Sequence, residues 1–293
     1  MMEHRIVLTE NCNASCKHCF NASVRNKKEM DADIFIKFMR DNSEYLEYSS
    51  LKIMGGEPTL HPRVKEIIQE GLKHYLTVSL FTNGINIEPI IKKFGSRISY
   101  TINGYTFNPS MEWKHIVLHF VITKNDSDKV IEKMMRCMDS HPDSIFLYSP
   151  DTQINIFEEE FNEYRKTWMN ATKIIAPELN RRKIRWNLDH NFPLCFFTEE
   201  MKSELETMGL NSKVFTSCKC TQIGLIDPNF DLYYCNQTRI KIGSILNKSI
   251  PEINEMIQGS KEKKISKVKL NEKCKKCEFI NSCMMGCYYN GTK

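Results

Sequence analysis

The sequence lacks a hydrophobic run long enough to cross a bilayer, and its first strand-like run, Arg5–Thr9, opens too early to follow a secretory signal. Both absences read as a cytoplasmic chain with no membrane partner. A strong charge of either sign is missing too. The 41 Lys and Arg against 36 Asp and Glu leave a formal charge of +5, well short of the basic excess of a dedicated nucleic-acid binder. There is no internal repeat or low-complexity tract, and 41% hydrophobic content over 293 residues can bury one large or two modest cores. Cysteine is plentiful. Twelve of them in a reducing compartment point away from disulfides and toward metal binding or redox chemistry.

Between residues 5 and 150, short β-type runs alternate with amphipathic helical runs, a pattern that argues for parallel strands joined by helical crossovers. Six strands are expected: Arg5–Thr9, Leu51–Met54, Leu76–Thr82, Ile98–Ile102, His115–Thr123 and Ser144–Tyr148. Ile34, Phe38 and Met39 mark the inner face of one helix, Val64, Ile67, Ile68 and Leu72 that of a second, and Val130, Met134 and Met138 that of a third. The expected fold is α/β, a partial (β/α)6 TIM-type barrel over 1–188 followed by a small cysteine-rich α+β domain over 189–293. The second domain carries eight of the twelve cysteines, a density at which folding depends on metal. In such barrels the loops after the strands hold the active site. CNASCKHCF, Cys12–Phe20, follows the first strand directly.

Three thiolates at Cys12, Cys16 and Cys19 can converge on one metal centre, and three is one short of the four that close a zinc site or a cubane. On the residues alone the set fits an open iron–sulfur cluster, or zinc completed by a ligand from elsewhere. The C-x3-C-x2-C spacing after a first strand, with His18 before the last cysteine, resembles the radical S-adenosylmethionine (radical SAM) superfamily. The resemblance implies a [4Fe-4S] cluster on Cys12, Cys16 and Cys19, its fourth iron open to the amino and carboxylate groups of S-adenosyl-L-methionine (SAM). One electron passed into the C–S bond then releases a 5′-deoxyadenosyl radical.

Later motifs fall in the order this family would require. Met54-Gly55-Gly56-Glu57-Pro58 ends the second strand and looks like its GGE motif, with backbone and a carboxylate receiving the methionine ammonium. Thr82-Asn83-Gly84 ends the third, Thr101-Ile-Asn103-Gly104 the fourth, where relatives often carry S-L-D-G, and Ile122-Thr-Lys-Asn125 the fifth, near the adenine. By resemblance, SAM would be held at His18, Gly55, Gly56, Glu57, Asn83, Thr101, Asn103 and Asn125.

Toward the C-terminus, Cys274-x2-Cys277-x5-Cys283-x3-Cys287 follows Cys220-x14-Cys235. Together these resemble the SPASM domain, which carries auxiliary [4Fe-4S] clusters in enzymes that modify peptides and proteins. By resemblance Cys218, Cys220, Cys235 and Cys287 would ligate one auxiliary cluster, and Cys274, Cys277 and Cys283 a second. The family pattern ends with one further cysteine that has no counterpart before Lys293, so one or two auxiliary clusters are expected, the second with an open iron or another closing residue. Phe230 stands where the usual P-D-G turn has glycine. Cys137, on a helical run, reads as a small buried thiol. Cys195 admits three readings: core packing, a cluster ligand in place of Cys218, or a thiol that donates hydrogen to a substrate radical.

The resemblance implies a maturase of a ribosomally made peptide (a RiPP), installing a crosslink, a thioether or an epimerised centre, with a peptide substrate and an electron donor such as flavodoxin or ferredoxin as partners. With the first strand at Arg5, no separate peptide-recognition domain is expected ahead of the barrel. Asn236 stands where sulfatase-maturing relatives carry aspartate, and an amide cannot act as that general base. A small-molecule radical SAM oxidoreductase is the alternative. A non-catalytic iron–sulfur electron-transfer protein is a third reading, which leaves Gly55-Gly56-Glu57 unexplained.

Overall fold

Each of the six expected strand runs forms a strand. The computed structural model describes residues 2–19, 21, 27–151, 154, 159–189, 194–210, 223–234, 240–260 and 272–278. They fall in two packing units, Met1–Ile102 with Cys220–Val268 and Asn103–Lys219 with Lys269–Lys293.

The first unit opens with β1 (Met2–Val7), α1 (Ala32–Asp41), the single turn α2 (Ser43–Leu46), β2 (Ser49–Met54), α3 (Val64–His74), β3 (Thr77–Thr82), α4 (Glu88–Phe94) and β4 (Ser99–Asn103). β1 pairs in parallel with β2, β2 with β3 and β3 with β4. Their alternating side chains bury Ile6, Leu51, Ile53, Val78, Leu80 and Ile102. The stripe of α1 is shifted from expectation. Ala32, Phe35, Ile36 and Met39 are buried, while Ile34 is 43% exposed. Asp31 fixes the start of the helix, because its carboxylate caps the Asp33 and Ile34 N–H groups. On α3, Gly71 rather than Leu72 meets the sheet, and a Cβ on Gly71 would lie 2.9 Å from Leu51 Cδ2. Glu70 is buried beside it and accepts from Arg40 of α1 at 2.7 Å, Lys73 at 2.7 Å and His74 at 3.2 Å. Those donors, Arg40 first, bring its carboxyl down to about 2.

The second unit contains β5 (Val117–Ile122), α5 (Ser127–Ser140), β6 (Ile145–Pro150), α6 (Glu160–Arg181), β7 (Trp186–Leu188) and α7 (Glu199–Thr207). β5, β6 and β7 are parallel neighbours, so a seventh strand joins the six expected. One face of this sheet is aromatic: Phe120 stacks on Phe146, and Tyr148 lies against Trp168 of α6. Cys137 is fully buried on α5, as expected of a packing thiol, and burial pushes it up to about 11.

The chain then returns to the first unit as β8 (Ile223–Ile226), β9 (Asp231–Tyr233), β10 (Lys241–Ser244) and α8 (Ile250–Gly259). β8 lies parallel to β1 on the side away from β2, with β9 and β10 added antiparallel. In the β8–β9 turn Asp227 accepts the N–H groups of Asn229 and Asp231, both at 2.9 Å. Phe230, where glycine was the expected residue, has φ 61° and is 4% exposed. A left-handed conformation costs a β-carbon about 1–2 kcal/mol, and the buried ring offsets it. Among the described residues no helix is long and apolar enough to cross a membrane.

Candidate functional site

The segment carrying Cys12, Cys16 and Cys19 leaves the end of β1 and is pinned at both ends. Leu8 N–H donates to Met54 O at 2.7 Å, Glu10 N–H to Lys28 O at 2.8 Å, and Thr9 forms a bridge with Glu29. The end of β2 closes on it from one side: Gly56 N–H donates to Thr9 O and Glu57 N–H to Asn11 O, each at 2.7 Å. This explains the two glycines. A Cβ on Gly55 would lie 2.4 Å from Thr9 O and one on Gly56 2.3 Å from Asn11 O, closer than any side chain permits.

Glu57 ties in the third strand. It is fully buried, and its carboxylate accepts from Thr59 N at 3.0 Å, Thr59 Oγ1 at 2.7 Å, Thr82 Oγ1 at 2.8 Å and Asn83 N at 2.7 Å. Four donors neutralise the cost of burying that charge. The Glu57 side chain is thus an internal link between the ends of β2 and β3. Asn83 completes the knot: its Nδ2 donates to Asn13 Oδ1 at 2.7 Å and its Oδ1 accepts from Ile85 N at 2.9 Å. Asn21 Nδ2 donates to Gly55 O at 3.2 Å. Asn13 and Asn21 lie within and just beyond the cysteine motif, yet a reading confined to its cysteines passes over them. The signal was their place in the motif.

The three thiols are part-exposed. Ala14 N–H donates to Cys12 Sγ at 3.4 Å and Cys19 N–H to Cys16 O at 3.2 Å. As the side chains stand, no three His, Cys, Asp or Glu among the described residues converge closely enough to hold a metal ion. The donor set nonetheless fits a three-cysteine iron–sulfur cluster: three thiols within eight residues on one anchored loop, with a backbone N–H already directed at a sulfur. Burial lowers the pKa of His18 beside them.

The remaining expected residues divide between the units. Thr101 lies on β4 in the first, half-buried and in register with Phe81. Asn103 and Asn125 belong to the second, where Asn103 Oδ1 accepts Tyr105 N–H at 3.0 Å and Asn125 is exposed. Cys195 is exposed, so the packing reading does not hold for it. Phe196 and Phe197 beside it fill the core against Trp168, while the Cys195 carbonyl accepts from Arg165 at 3.3 Å. Cys274 and Cys277 flank the end of a single helical turn, Glu272–Lys275. Cys218, Cys220, Cys235, Cys283 and Cys287 lie outside the described residues.

A cysteine loop after the first strand of a parallel α/β sheet, locked to the ends of the next two strands, defines a class that sequence comparison identifies directly. The sequence model of the Radical SAM superfamily matches residues 6–164, and the chain belongs to that superfamily. It is 33% identical over 79 residues to the tungsten-containing aldehyde ferredoxin oxidoreductase cofactor-modifying protein of Pyrococcus furiosus, a match covering 26% of this chain and 22% of that one. It is 32% identical over 82 residues to the mycofactocin maturase MftC of Mycobacterium tuberculosis, covering 28% and 21%. The matched segments thus span about a fifth of each relative's length. The whole fold is shared with SuiB of Streptococcus suis bound to S-adenosylmethionine, at TM-score 0.68 and 15% identity over 99% of this chain and 73% of that one. It is shared as well with anSMEcpe bound to AdoMet and a peptide, at TM-score 0.64 and 17% identity over 98% and 89%.

Proposed function

We propose that the chain is a radical SAM peptide maturase that reductively cleaves SAM and abstracts hydrogen from a ribosomally made peptide, leaving a crosslink, a thioether or an epimerised centre. The observation that carries the radical half is the cysteine loop locked to Gly55-Gly56-Glu57 and Asn83. The peptide half is supported by whole-chain likeness of fold to SuiB, also solved with its precursor peptide SuiA, and to anSMEcpe with its peptide.

Cys12, Cys16 and Cys19 would hold a [4Fe-4S] cluster, which with SAM supplies the one-electron cleavage that yields a 5′-deoxyadenosyl radical. The chain's own residues fix where this happens. Glu57 and Asn83 hold the loop against β2 and β3, and the absence of side chains at Gly55 and Gly56 lets the strand ends close on it. His18, Gly55, Gly56, Glu57, Asn83, Thr101, Asn103 and Asn125 would make the proposed SAM contacts. Residues 1–188 would form the catalytic domain and 189–293 the auxiliary-cluster domain. There Cys218, Cys220, Cys235 and Cys287 would hold one cluster, and Cys274, Cys277 and Cys283 a second. The exposure of Cys195 suits a thiol that donates hydrogen or ligates a cluster. An electron donor of the flavodoxin or ferredoxin kind would supply the reductant.

The test is formation of 5′-deoxyadenosine from SAM by anaerobically reconstituted, dithionite-reduced protein, beside a variant with Cys12, Cys16 and Cys19 all changed to Ala. Product from the parent alone is the expected result. No product from parent protein with a demonstrably loaded N-terminal cluster, with and without added peptide, would overturn the proposal.

A further inference from the structure

The face of β5, β6 and β7 turned away from α5 and α6 carries a polar cluster that the radical machinery leaves unused. Leu118, Phe120, Ile122, Phe146 and Tyr148 are buried, and Tyr148 against Trp168 of α6 with Phe120 stacked on Phe146 marks theirs as the helix-facing side. Strand alternation therefore sets Val117, Val121, Ile145 and Leu147 on the opposite face, where all four are half-buried. Into this apolar surface one residue from each strand line brings a polar group. His119 Nε2 lies 3.1 Å from Ser149 Oγ and 3.4 Å from Asp189 Oδ2. Ser149 stands one residue before the end of β6, and Asp189 follows β7 directly, its N–H continuing the ladder to Tyr148 O at 3.0 Å.

Exposure is graded across the three: Ser149 is fully buried, the His119 side chain is 21% exposed and that of Asp189 is 42% exposed. The hydroxyl and imidazole make a floor, and the carboxylate stands at the rim. Half-buried apolar walls around a few convergent polar groups are the usual composition of a ligand site, and the C-terminal strand ends with the loops after them, where Ser149 and Asp189 lie, are where barrels of this kind handle substrates. A carboxylate has about four acceptor sites, so the part-exposed Asp189 can take a cation or an N–H group in addition to the contacts it already makes. Valine and leucine walls beside it suit a methylene stem.

We propose that this cluster is a subsite for a basic side chain of the substrate peptide, lysine or arginine. Asp189 makes the contact, His119 positions the carboxylate, and Val121 and Leu147 line the stem. The inference rests on the peptide reading above and names the substrate chemistry that reading leaves open.

The experiment is a selection of random decapeptides by messenger-RNA display on immobilised, cluster-loaded full-length protein with SAM present, comparing wild type, Asp189→Asn and Asp189→Lys. Iron content and thermal midpoint establish that each variant is folded. The wild-type pool should be enriched about threefold in Lys and Arg at one position, the scale of a part-exposed ion pair. The asparagine variant should lose that bias, and the lysine variant should favour Asp and Glu instead. The sign reversal stands as an independent test should Asp189→Asn fold poorly. Peptides selected by wild type without basic bias, or with the same bias in a folded variant, overturn the subsite alone. A wild type that forms 5′-deoxyadenosine yet selects no peptide at all overturns the peptide reading together with the subsite.

Discussion

Asn83 shows how a single side chain can serve a site that it need not touch. One end of its amide reaches Asn13, inside the cysteine motif, and the other accepts from Ile85 N–H in its own turn, while its backbone N–H is held by Glu57. Outer-shell ties of this kind orient metal ligands, and losing one typically costs about tenfold or more in metal affinity. Asn83→Ala should therefore take up iron on reconstitution but lose it to EDTA about tenfold faster than wild type, followed as bleaching of the cluster absorbance. An unchanged rate of bleaching, with the backbone fold intact by circular dichroism, would show that the tie does not position the loop. The carboxamide was legible in the sequence as part of a turn motif. Its partner was not, because residues 13 and 83 meet only once β1 and β3 are assembled around β2.

At the scale of elements, β1 is the decisive strand, flanked by β2 and by β8. Its His4 is 5% exposed, with Nδ1 3.2 Å from the Tyr75 hydroxyl and Nε2 without a hydrogen-bond partner among the described residues. Burial, partly opposed by Glu3, brings its pKa down to about 4, and burial also raises that of the Tyr75 phenol. For a base with a depressed folded pKa the unfolded chain binds the extra proton, so stability rises with pH across the interval from about 4 to the ordinary histidine value of 6.5. This group alone should make the protein about 2 kcal/mol less stable at pH 5 than at pH 7. Urea titrations at both pH values, set against His4→Phe, read that contribution as a difference. Parallel pH trends in the two proteins would show that His4 is not the titrating group. Glu70, linking α1 to α3, also has a lowered pKa and so acts in the same sense over a lower interval: its contribution is complete above the ordinary value of 4.5 and is lost progressively as pH falls to about 2.

For the whole molecule, the number of iron atoms is the quantity that ties the radical loop to the C-terminal cysteines. One auxiliary cluster predicts roughly eight irons per reconstituted chain and two predict roughly twelve, while the Cys12, Cys16 and Cys19 triple variant should fall short of wild type by roughly four. Iron and acid-labile sulfide analysis measures this directly. A wild-type protein holding no more iron than one cluster needs would remove the auxiliary assignments and leave the radical loop standing. The two packing units cut across the expected boundary at 188/189, because residues 220–268 return to the first unit and add β8 beside β1. A reading by motif order places those residues with their cysteines. Hydrogen bonding along the sheet places them with β1.

What the sequence determined by itself is whatever depends on local pattern: the six strands and their order, the cysteine spacing, the glycines that end β2 and the buried thiol of Cys137. Each follows from neighbours a few positions apart, where alternation, helical period and ligand spacing are fixed by covalent geometry. Only the tertiary structure decided that α1 turns Phe35 inward and Ile34 out, that Glu57 is a buried link, that Cys195 is exposed beside two packed phenylalanines, and that His119, Ser149 and Asp189 come together. Each of these depends on which distant segment supplies the donor, the wall or the solvent. Burial and hydrogen bonding between residues far apart in the chain are settled by packing, which local periodicity does not encode.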